Sequence, residues 1–291
     1  RDGGQVFHCP AYVMPLLCRV PTVLTLHDLF VFSHPRFCRR LNRMHYRLAI
    51  PASVRCATAV HCTSQWTKNA LYSRFPAHRD RARVIHPGLE PLFSPPSTAA
   101  VERYYREENL PERPFLFVGN VEPKKNITGL LRGCACRKQR YGSERRLLMV
   151  GGRGWRSVAL EAILRNLDLE EDVVRTGYVP REKLPLLYGG ALALVFPSHV
   201  EGFGLPPLEA MACGTPVVTS GCGGLSESVG NAAVLVGAEN FGYLADALHE
   251  MEVNPELRDR CRRAGLRRAR AFRGEQRLAD RFVELYRETA R

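Results

Sequence analysis

Short runs of β-branched and apolar residues alternate with longer amphipathic stretches along the 291-residue chain, and this alternation restricts its fold more than any other feature. The pattern is typical of βαβ units, in which parallel strands are joined by helices that cover the faces of a sheet. We therefore predict an α/β protein with mostly parallel sheets. No internal repeat or low-complexity tract interrupts the alternation.

The alternation falls into two series, separated by a stretch rich in proline and glycine. The first series predicts strands at Val6–His8, Thr22–His27, Ala57–His61 and Arg83–Ile85, with helices around Arg39–Ser53 and Ser64–Phe75. The second predicts strands at Phe115–Gly119, Leu147–Gly151, Val173–Tyr178, Ala191–Pro197, Pro216–Ser220 and Ala233–Val236, with helices between nearly all of them. Two doubly wound, Rossmann-like units follow from this order.

We place the first unit at residues 1–88, a linker at 89–113 and the second unit at 114–270. Residues 271–291 form a last helix with one apolar face, which we expect to pack back on the first unit. The first unit is expected to be incomplete. The chain opens without methionine, directly before a strand, and only four strands precede Gly88, whereas five or six follow Phe115.

The composition bears on partners and location. A net charge of +13, much of it between Arg258 and Arg281, indicates either a solvated surface or attraction to an anionic membrane. Nucleic acid is disfavoured, since no recognition-helix, RRM or zinc-finger signature occurs. The apolar runs are far shorter than the roughly 18 residues of a membrane span. Ten cysteines without a CxxC pair favour scattered thiols in a reducing compartment, so we expect a cytoplasmic protein.

The carboxyl ends of the predicted strands carry the candidate ligand-binding residues, because ligands of open parallel sheets bind there. One strand ends in Gly119, Asn120 and then Lys124 and Lys125 before a helix, and the next ends in a glycine turn at 151–155. Glycines admit a ligand close to the backbone, and lysines at a helix start suit a diphosphate. The glycines could equally serve a tight turn, and the lysines could be merely solvated.

The most specific motif is two glutamates eight residues apart, Glu201 and Glu209, around glycines and prolines. In one helix their backbones would be about 12 Å apart, wider than the spacing of a glycosidase pair. We expect Glu201 in a glycine loop, a helix start near Pro206 or Pro207, and Glu209 in the first turns. Such carboxylates suit a sugar or ribose diol, although Glu209 could simply favour the helix dipole.

The segment from Glu201 to Glu209 resembles the E-x7-E signature of the retaining GT-B glycosyltransferases, particularly family four. Within that family, the chain is most similar to a mannosyltransferase-like bacterial group. Other segments agree with the resemblance: Gly119–Asn126, Gly151–Trp155, Thr176–Pro180, Phe196–Ser198, Met211–Val218 and Thr25–Asp28. It implies two Rossmann-like domains facing a cleft and a nucleotide-diphosphate sugar as donor. It also implies a saccharide or lipid-linked acceptor, in polysaccharide or glycolipid synthesis.

The resemblance also implies roles for individual residues. Glu201 contacts the donor sugar, Glu209 holds the ribose, Lys125 neutralises the diphosphate, and His27 lines the sugar from the first unit. A histidine in that position could equally be structural. The remaining implied donor contacts are Gly119, Asn120, Lys124, Gly152, Tyr178, Val179, Phe203, Gly204 and Leu205.

Two departures from the family pattern stand out: Asn120 replaces a frequent arginine, and Arg273–Gly274 replaces the usual Ser-Trp before the last helix. The chain has no DxD motif, so we expect lysine and backbone amides, rather than a metal or other cofactor, to stabilise the leaving diphosphate. The alternatives are a catalytically silent nucleotide-sugar-binding protein and a nucleotide-sugar epimerase of the same fold. A phosphorylase would need a pyridoxal lysine, which no motif suggests.

Overall fold

A computed structural model describes residues 5–152, 154 and 160–291. The chain forms two compact units. Unit 1 consists of Arg1–Gly88, Val200–Phe203 and Gly274–Arg291, and unit 2 consists of Leu89–His199 and Gly204–Arg273. Each unit contains a parallel sheet covered by helices, which confirms the predicted α/β class. Trp155, part of the predicted glycine turn, lies outside the described residues.

Unit 1 has a four-stranded parallel sheet in the order β1-β2-β3-β4. Its strands are β1 (Phe7–Cys9), β2 (Thr22–Leu26), β3 (Ala59–Cys62) and β4 (Ala82–Val84). Its helices are α1 (Phe30–Ser33), α2 (Arg40–Cys56), α3 (Gln65–Arg74) and the last helix of the chain, α12 (Glu275–Ala290). Strand β2 is buried along its whole length, as expected for a strand covered on both faces.

The two faces of this sheet pack against different helices. Leu24 and Leu26 belong to a core with Ile50 of α2 and Leu71 of α3. Val23 belongs to a second cluster, which contains Leu278, Phe282 and Leu285 of α12. Successive residues of a strand point to opposite faces, so the sheet lies between α12 on one side and α2 with α3 on the other. The apolar face predicted for the last helix is the one that packs.

Unit 2 has a six-stranded parallel sheet in the order β10-β9-β8-β5-β6-β7. Its strands are β5 (Phe115–Val118), β6 (Leu147–Val150), β7 (Val173–Gly177), β8 (Ala193–Phe196), β9 (Val217–Thr219) and β10 (Val234–Leu235). Its helices are α4 (Thr98–Glu107), α5 (Ile127–Tyr141), α6 (Leu160–Asn166), α7 (Leu184–Gly190), α8 (Leu205–Ala212), α9 (Leu225–Val229), α10 (Phe241–Val253) and α11 (Pro255–Arg270).

The strand order of unit 2 reverses beside β5. The chain runs from β5 outward to β7, then returns to place β8 on the other side of β5. Helices that leave β5 and β8 therefore diverge, and a crevice opens at the carboxyl ends of these two strands. The fold thus marks the ends of β5 and β8 as the place for a ligand in unit 2.

Residues 89–113 differ from the linker that we predicted. They belong to unit 2 and contain α4, whose Tyr104 and Tyr105 are buried. The Tyr105 hydroxyl donates to the carbonyl of Leu187 at 2.8 Å. The prolines of this stretch concealed a helix that covers part of the unit 2 core. Among the described helices, none combines the length and the apolar character needed to cross a membrane.

Candidate functional site

The loop after β5 is bound to the loop after β8 at the point where the strand order reverses. Asn126 is in the left-handed conformation at the N-cap of α5, where its side chain accepts from the amide of Gly129. Its amide nitrogen donates to the carbonyls of Pro197 at 3.0 Å and Ala238 at 2.6 Å. The amide of His199 donates to the carbonyl of Lys124 at 2.8 Å. These bonds hold the lysine loop beside the end of β8.

Lys125 lies at this position with its side chain folded across the loop. An added Cβ on Gly119 would be 3.7 Å from Cε of Lys125, and the lysine ammonium is 4.5 Å from the centre of the Phe196 ring, at the end of β8. The negative face of an aromatic ring attracts a cation placed over it. The arrangement keeps a positive charge at the crevice, as a bound diphosphate requires.

The glycine turns after β5, β6 and β7 form a ladder that continues beyond the strands. Gly119 donates to Val150, and Gly151 donates to Gly177, both at 2.8 Å. A Cβ on Gly151 would overlap the carbonyl of Gly119. Gly151 is therefore needed for the tight turn itself, as the first of the two interpretations predicts. The ladder borders a cavity of about 570 Å³, also lined by Gly152, Glu161 and Thr176.

Asn120 has a structural partner in this ladder. Its side-chain oxygen accepts from the amide of Gly152 at 3.2 Å, which fixes the turn after β6 next to the turn after β5. The asparagine therefore orders the glycines but adds no positive charge to the crevice.

Glu209 lies on α8, which begins at Leu205, one residue earlier than predicted, after Gly204 in a left-handed conformation. The carboxylate is only 3% exposed. It accepts from the Tyr188 hydroxyl at 2.9 Å and from the guanidinium of Arg181 at 3.1 Å. Burial raises the pKa of Glu209, while the Tyr188 and Arg181 bonds act in the opposite direction.

Arg181 is itself held in place by two further groups. It is 2.9 Å from a carboxylate oxygen of Glu90, and its guanidinium lies 4.9 Å from the centre of the Phe93 ring. Sequence reasoning missed Arg181 and Tyr188. Tyr188 resembles an ordinary apolar residue of a helix, and Arg181 follows the Thr176–Pro180 loop without any motif of its own.

His27 and the loop of Glu201 come together in unit 1. His27 follows β2 and is exposed, and its Nε2 donates to the carbonyl of Pro10 at 2.8 Å. A Cβ on Gly202 would overlap the main-chain oxygen of His27, so only glycine allows this approach. The same oxygen accepts from the hydroxyls of Thr63 and Thr67. Glu201 itself is buried.

Tyr12 and Asp28 share the surroundings of Glu201. Burial, followed by the charge and hydrogen bond of Asp28 and more weakly by the charge of Glu201, raises the pKa of the Tyr12 hydroxyl. The Tyr12 ring also lies 5.6 Å from the ring of His27. Tyr12 was not predicted, because it stands in a loop between strands with no motif around it.

The other predicted donor contacts have varied surroundings. The Phe203 ring is buried and stacks on His86 at 5.4 Å. Tyr178 is 79% exposed, and Val179 is half-buried. The structure thus brings together Gly119, Asn120, Gly152, Lys124 and Lys125 in unit 2. It brings together His27 and the Glu201 loop in unit 1.

Two sequence models of known families match the chain. The one described as "Glycosyl transferases group 1" matches residues 102–268, and "Glycosyltransferase Family 4" matches residues 5–91. The first covers more than half of the chain.

Curated relatives carry glycosyltransferase names. The O-antigen chain mannosyltransferase B of Escherichia coli is 28% identical over 93% of this chain and 71% of its own length. A D-inositol 3-phosphate glycosyltransferase of Acidothermus cellulolyticus is 31% identical over 87% of this chain and 59% of its own length.

Solved structures show the same architecture. Sucrose-phosphate synthase from Thermosynechococcus elongatus superposes with a TM-score of 0.81 at 25% identity, over 99% of this chain and 74% of its own. HepE of Anabaena, solved with UDP and glucose, gives 0.79 at 20% identity, over 91% of this chain and 71% of its own. The second likeness concerns the fold alone.

Proposed function

Since this chain belongs to the group 1 glycosyl transferases and has the GT-B fold, we propose that it moves a sugar from a nucleotide-diphosphate sugar to a hydroxyl of a saccharide or lipid-linked acceptor. Retention of the anomeric configuration and a role in polysaccharide or glycolipid synthesis are part of this proposal. The name of the E. coli relative, an O-antigen chain mannosyltransferase, supports a saccharide product and a mannosyltransferase-like activity.

The observation that carries the proposal is the crevice of unit 2 at the ends of β5 and β8. There Lys125 lies against Phe196, and Gly119 and Gly151 line the neighbouring cavity. A diphosphate seated there would meet one fixed ammonium and the backbone N–H groups that precede α5. The same positive charge would stabilise the diphosphate as it leaves.

Glu209 is proposed to hold the ribose of the nucleotide. Tyr188 and Arg181 each donate to one of its oxygens, so its carboxylate is oriented before a nucleotide arrives. Each carboxylate oxygen can accept more than one hydrogen bond, and the remaining positions suit a ribose diol. A carboxylate that is fixed beforehand loses less conformational entropy on binding.

His27 and Glu201 are proposed to contact the donor sugar. The Nε2 of His27 donates to Pro10, so the neutral ring leaves Nδ1 as an acceptor for a sugar hydroxyl. The contact of Gly202 with the main chain of His27 fixes the neighbouring carboxylate with respect to this histidine.

We infer that the acceptor hydroxyl attacks from the face that the diphosphate leaves, so that no enzyme nucleophile is needed. No metal or other cofactor takes part in this proposal, since Lys125 and backbone amides supply the charge compensation. The ten cysteines, none in a CxxC pair, support a reducing, cytoplasmic site of action. The basic surface supports peripheral contact with the inner face of an anionic membrane.

The decisive experiment is to incubate the protein with a panel of nucleotide sugars and saccharide acceptors and to measure the released nucleoside diphosphate. We expect release that depends on the acceptor and that falls at least about a hundredfold in Glu201→Gln. Product analysis by NMR would show the same anomeric configuration as the donor. Tight nucleotide binding without release from any donor would contradict the proposal.

A catalytically silent nucleotide-sugar-binding protein is the second candidate. It is favoured by Asn120, which bonds to Gly152 and supplies no charge where the family frequently has an arginine. The variant Asn120→Arg distinguishes the two candidates. If the protein is an enzyme, the added charge should raise the rate at which nucleoside diphosphate is released. If the protein is catalytically silent, the variant should only bind the nucleotide sugar more tightly.

A further inference from the structure

Tyr12, in the loop that follows β1, has a backbone conformation that disfavours residues other than glycine and asparagine. Its φ is 43°, in the left-handed region, where the Cβ of an L-residue crowds the backbone. The amide of Val13 donates to the carbonyl of Ala11, so Tyr12 is the central residue of a γ-turn with positive φ, the rare and strained kind. Such strain persists only where surrounding contacts hold the residue in place.

Hydrogen bonds attach both sides of this turn to the end of β2. The Tyr12 amide donates to the carbonyl of Thr25 at 3.0 Å, and the carbonyl of Pro10 accepts from the Nε2 of His27 at 2.8 Å. The turn is therefore anchored beside His27, the residue of unit 1 that we expect to contact the donor sugar.

The side chain of Tyr12 contacts the two residues directly after β2. Its ring meets the His27 ring edge-on, with the centres 5.6 Å apart and the planes at 64°, and its hydroxyl forms a hydrogen bond with the Asp28 carboxylate. Asp28 is buried, and its Cβ is 3.1 Å from the place of a Cβ on Gly202. Tyr12 thus connects the His27 imidazole with a carboxylate that adjoins the Glu201 loop.

The hydroxyl distinguishes Tyr12 from a residue that only fills space. The ring packs on Tyr46 of α2, with the centres 5.6 Å apart, and lies against the apolar core of unit 1. Phenylalanine would provide the same packing. Burial and, after it, the charge of Asp28 raise the pKa of the Tyr12 hydroxyl, so the hydroxyl keeps its proton and donates to Asp28 throughout the ordinary pH range.

We propose that Tyr12 is a positioning residue, which holds the His27 imidazole and the Asp28 carboxylate in the arrangement that transfer from the donor sugar requires. This inference rests on the proposed function, in which His27 and Glu201 contact that sugar. The bond from Nε2 to Pro10 and the contact with the Tyr12 ring fix the His27 ring, so its Nδ1 remains an acceptor. Asp28, held by Tyr12, occupies the space beside the Glu201 loop.

The test compares Tyr12→Phe, Tyr12→Leu and the control Tyr46→Phe. The first variant removes only the hydroxyl, the second also removes the ring, and the control removes the hydroxyl of the ring that packs on Tyr12. We expect kcat to fall at least about tenfold in Tyr12→Phe and about a hundredfold in Tyr12→Leu, since small displacements of reacting groups are costly. The donor KM should change less than about threefold, and Tyr46→Phe should stay close to the wild type.

The tautomer of His27 is a second readout, which needs no turnover. Nitrogen-15 NMR of histidine-labelled protein, with the His27 signals identified by their loss in His27→Gln, should show the proton on Nε2 in the wild type and in Tyr46→Phe. Tyr12→Leu should populate both tautomers, because the ring has lost the contact with Tyr12. Nucleoside-diphosphate affinity should be unchanged in each variant, since Lys125 and Glu209 belong to unit 2, and circular dichroism should show unchanged folding.

A wild-type kcat in Tyr12→Phe, or equal losses in Tyr12→Phe and Tyr46→Phe, would overturn the positioning role while leaving the proposed function intact. If no donor supports transfer, the proposed function fails, and the tautomer then decides the role of Tyr12. An unchanged tautomer in folded Tyr12→Leu would show that Tyr12 does not hold His27.

Discussion

At the scale of single residues, Gly202 couples the Glu201 loop to the end of β2. The main-chain oxygen of His27 occupies the space that a Cβ at position 202 would need. That oxygen is anchored by the hydroxyls of Thr63 and Thr67 and cannot retreat easily. The glycine therefore decides where the neighbouring carboxylate stands.

Gly202→Ala should reduce sugar transfer at least about a hundredfold, because the loop must shift and even about 1 Å of misplacement costs that much. Gly237→Ala is the matched control, since a Cβ there meets its nearest neighbour at an ordinary 3.5 Å. Steady-state rates of both variants with the best donor would check this. Full activity of Gly202→Ala would show that the loop does not position a reacting group.

Lys125→Ala should weaken nucleoside-diphosphate binding by roughly ten- to a hundredfold, since a charge-assisted hydrogen bond contributes about 1.5–3 kcal/mol. Titration calorimetry would measure it. Lys138→Ala serves as control, because Lys138 lies toward the other end of α5 and pairs with Asp172 at 2.8 Å. An equal loss in the control, or none in Lys125→Ala, would contradict the phosphate role.

At the scale of elements, a chain of hydrogen bonds joins α12 to the sheet of unit 1. The His61 Nε2 donates to the carbonyl of Ile85 at 2.8 Å, so its Nδ1 accepts from Thr25 at 2.9 Å. Thr25 in turn accepts from the Nε2 of His8, whose Nδ1 accepts from the Tyr286 hydroxyl, both at 2.7 Å. In this arrangement both histidines are neutral and carry their proton on Nε2.

Acid should therefore loosen unit 1. Burial lowers the pKa of His61 to about 4 from its ordinary 6.5, so the unfolded chain takes up a proton first. The contribution of neutral His61 to the free energy of unfolding is therefore fully present above pH 6.5, and it is lost as pH falls from 6.5 toward 4. Between pH 7 and 5 the loss is about 2 kcal/mol.

Urea unfolding at both pH values, followed by Trp66 fluorescence in a Trp155→Phe background, would measure this loss in unit 1. The variant His61→Gln keeps a hydrogen-bond donor and an acceptor but cannot become charged. The difference in its free energy of unfolding between pH 7 and 5 should therefore be smaller by about 2 kcal/mol. An identical pH response in both proteins would remove His61 as the cause.

At the scale of the whole molecule, the net charge of +13 suits a substrate that carries a diphosphate. Under the proposed mechanism Lys125 and backbone amides, not a divalent ion, stabilise the leaving diphosphate. Transfer should then continue at an unchanged rate in EDTA, measured as released nucleoside diphosphate. Activity abolished by the chelator and restored by magnesium or manganese would disprove this mechanism.

The sequence by itself determined the α/β class, the strands of both units and the glycine, lysine and glutamate motifs. It could do so because strand burial and helix amphipathicity leave local periodicities, and close backbone approach demands glycine. The sequence also identified Asn120 as a departure from the family pattern, but it did not predict the hydrogen bond that Asn120 accepts from Gly152.

Only the tertiary structure decided which distant residues meet. Arg181 and Tyr188 hold Glu209 from 28 and 21 residues away, and Val200–Phe203 joins unit 1 although its neighbours in the chain belong to unit 2. Long-range contacts depend on which elements pack against each other, and the choice of a distant partner leaves no local signal in the chain.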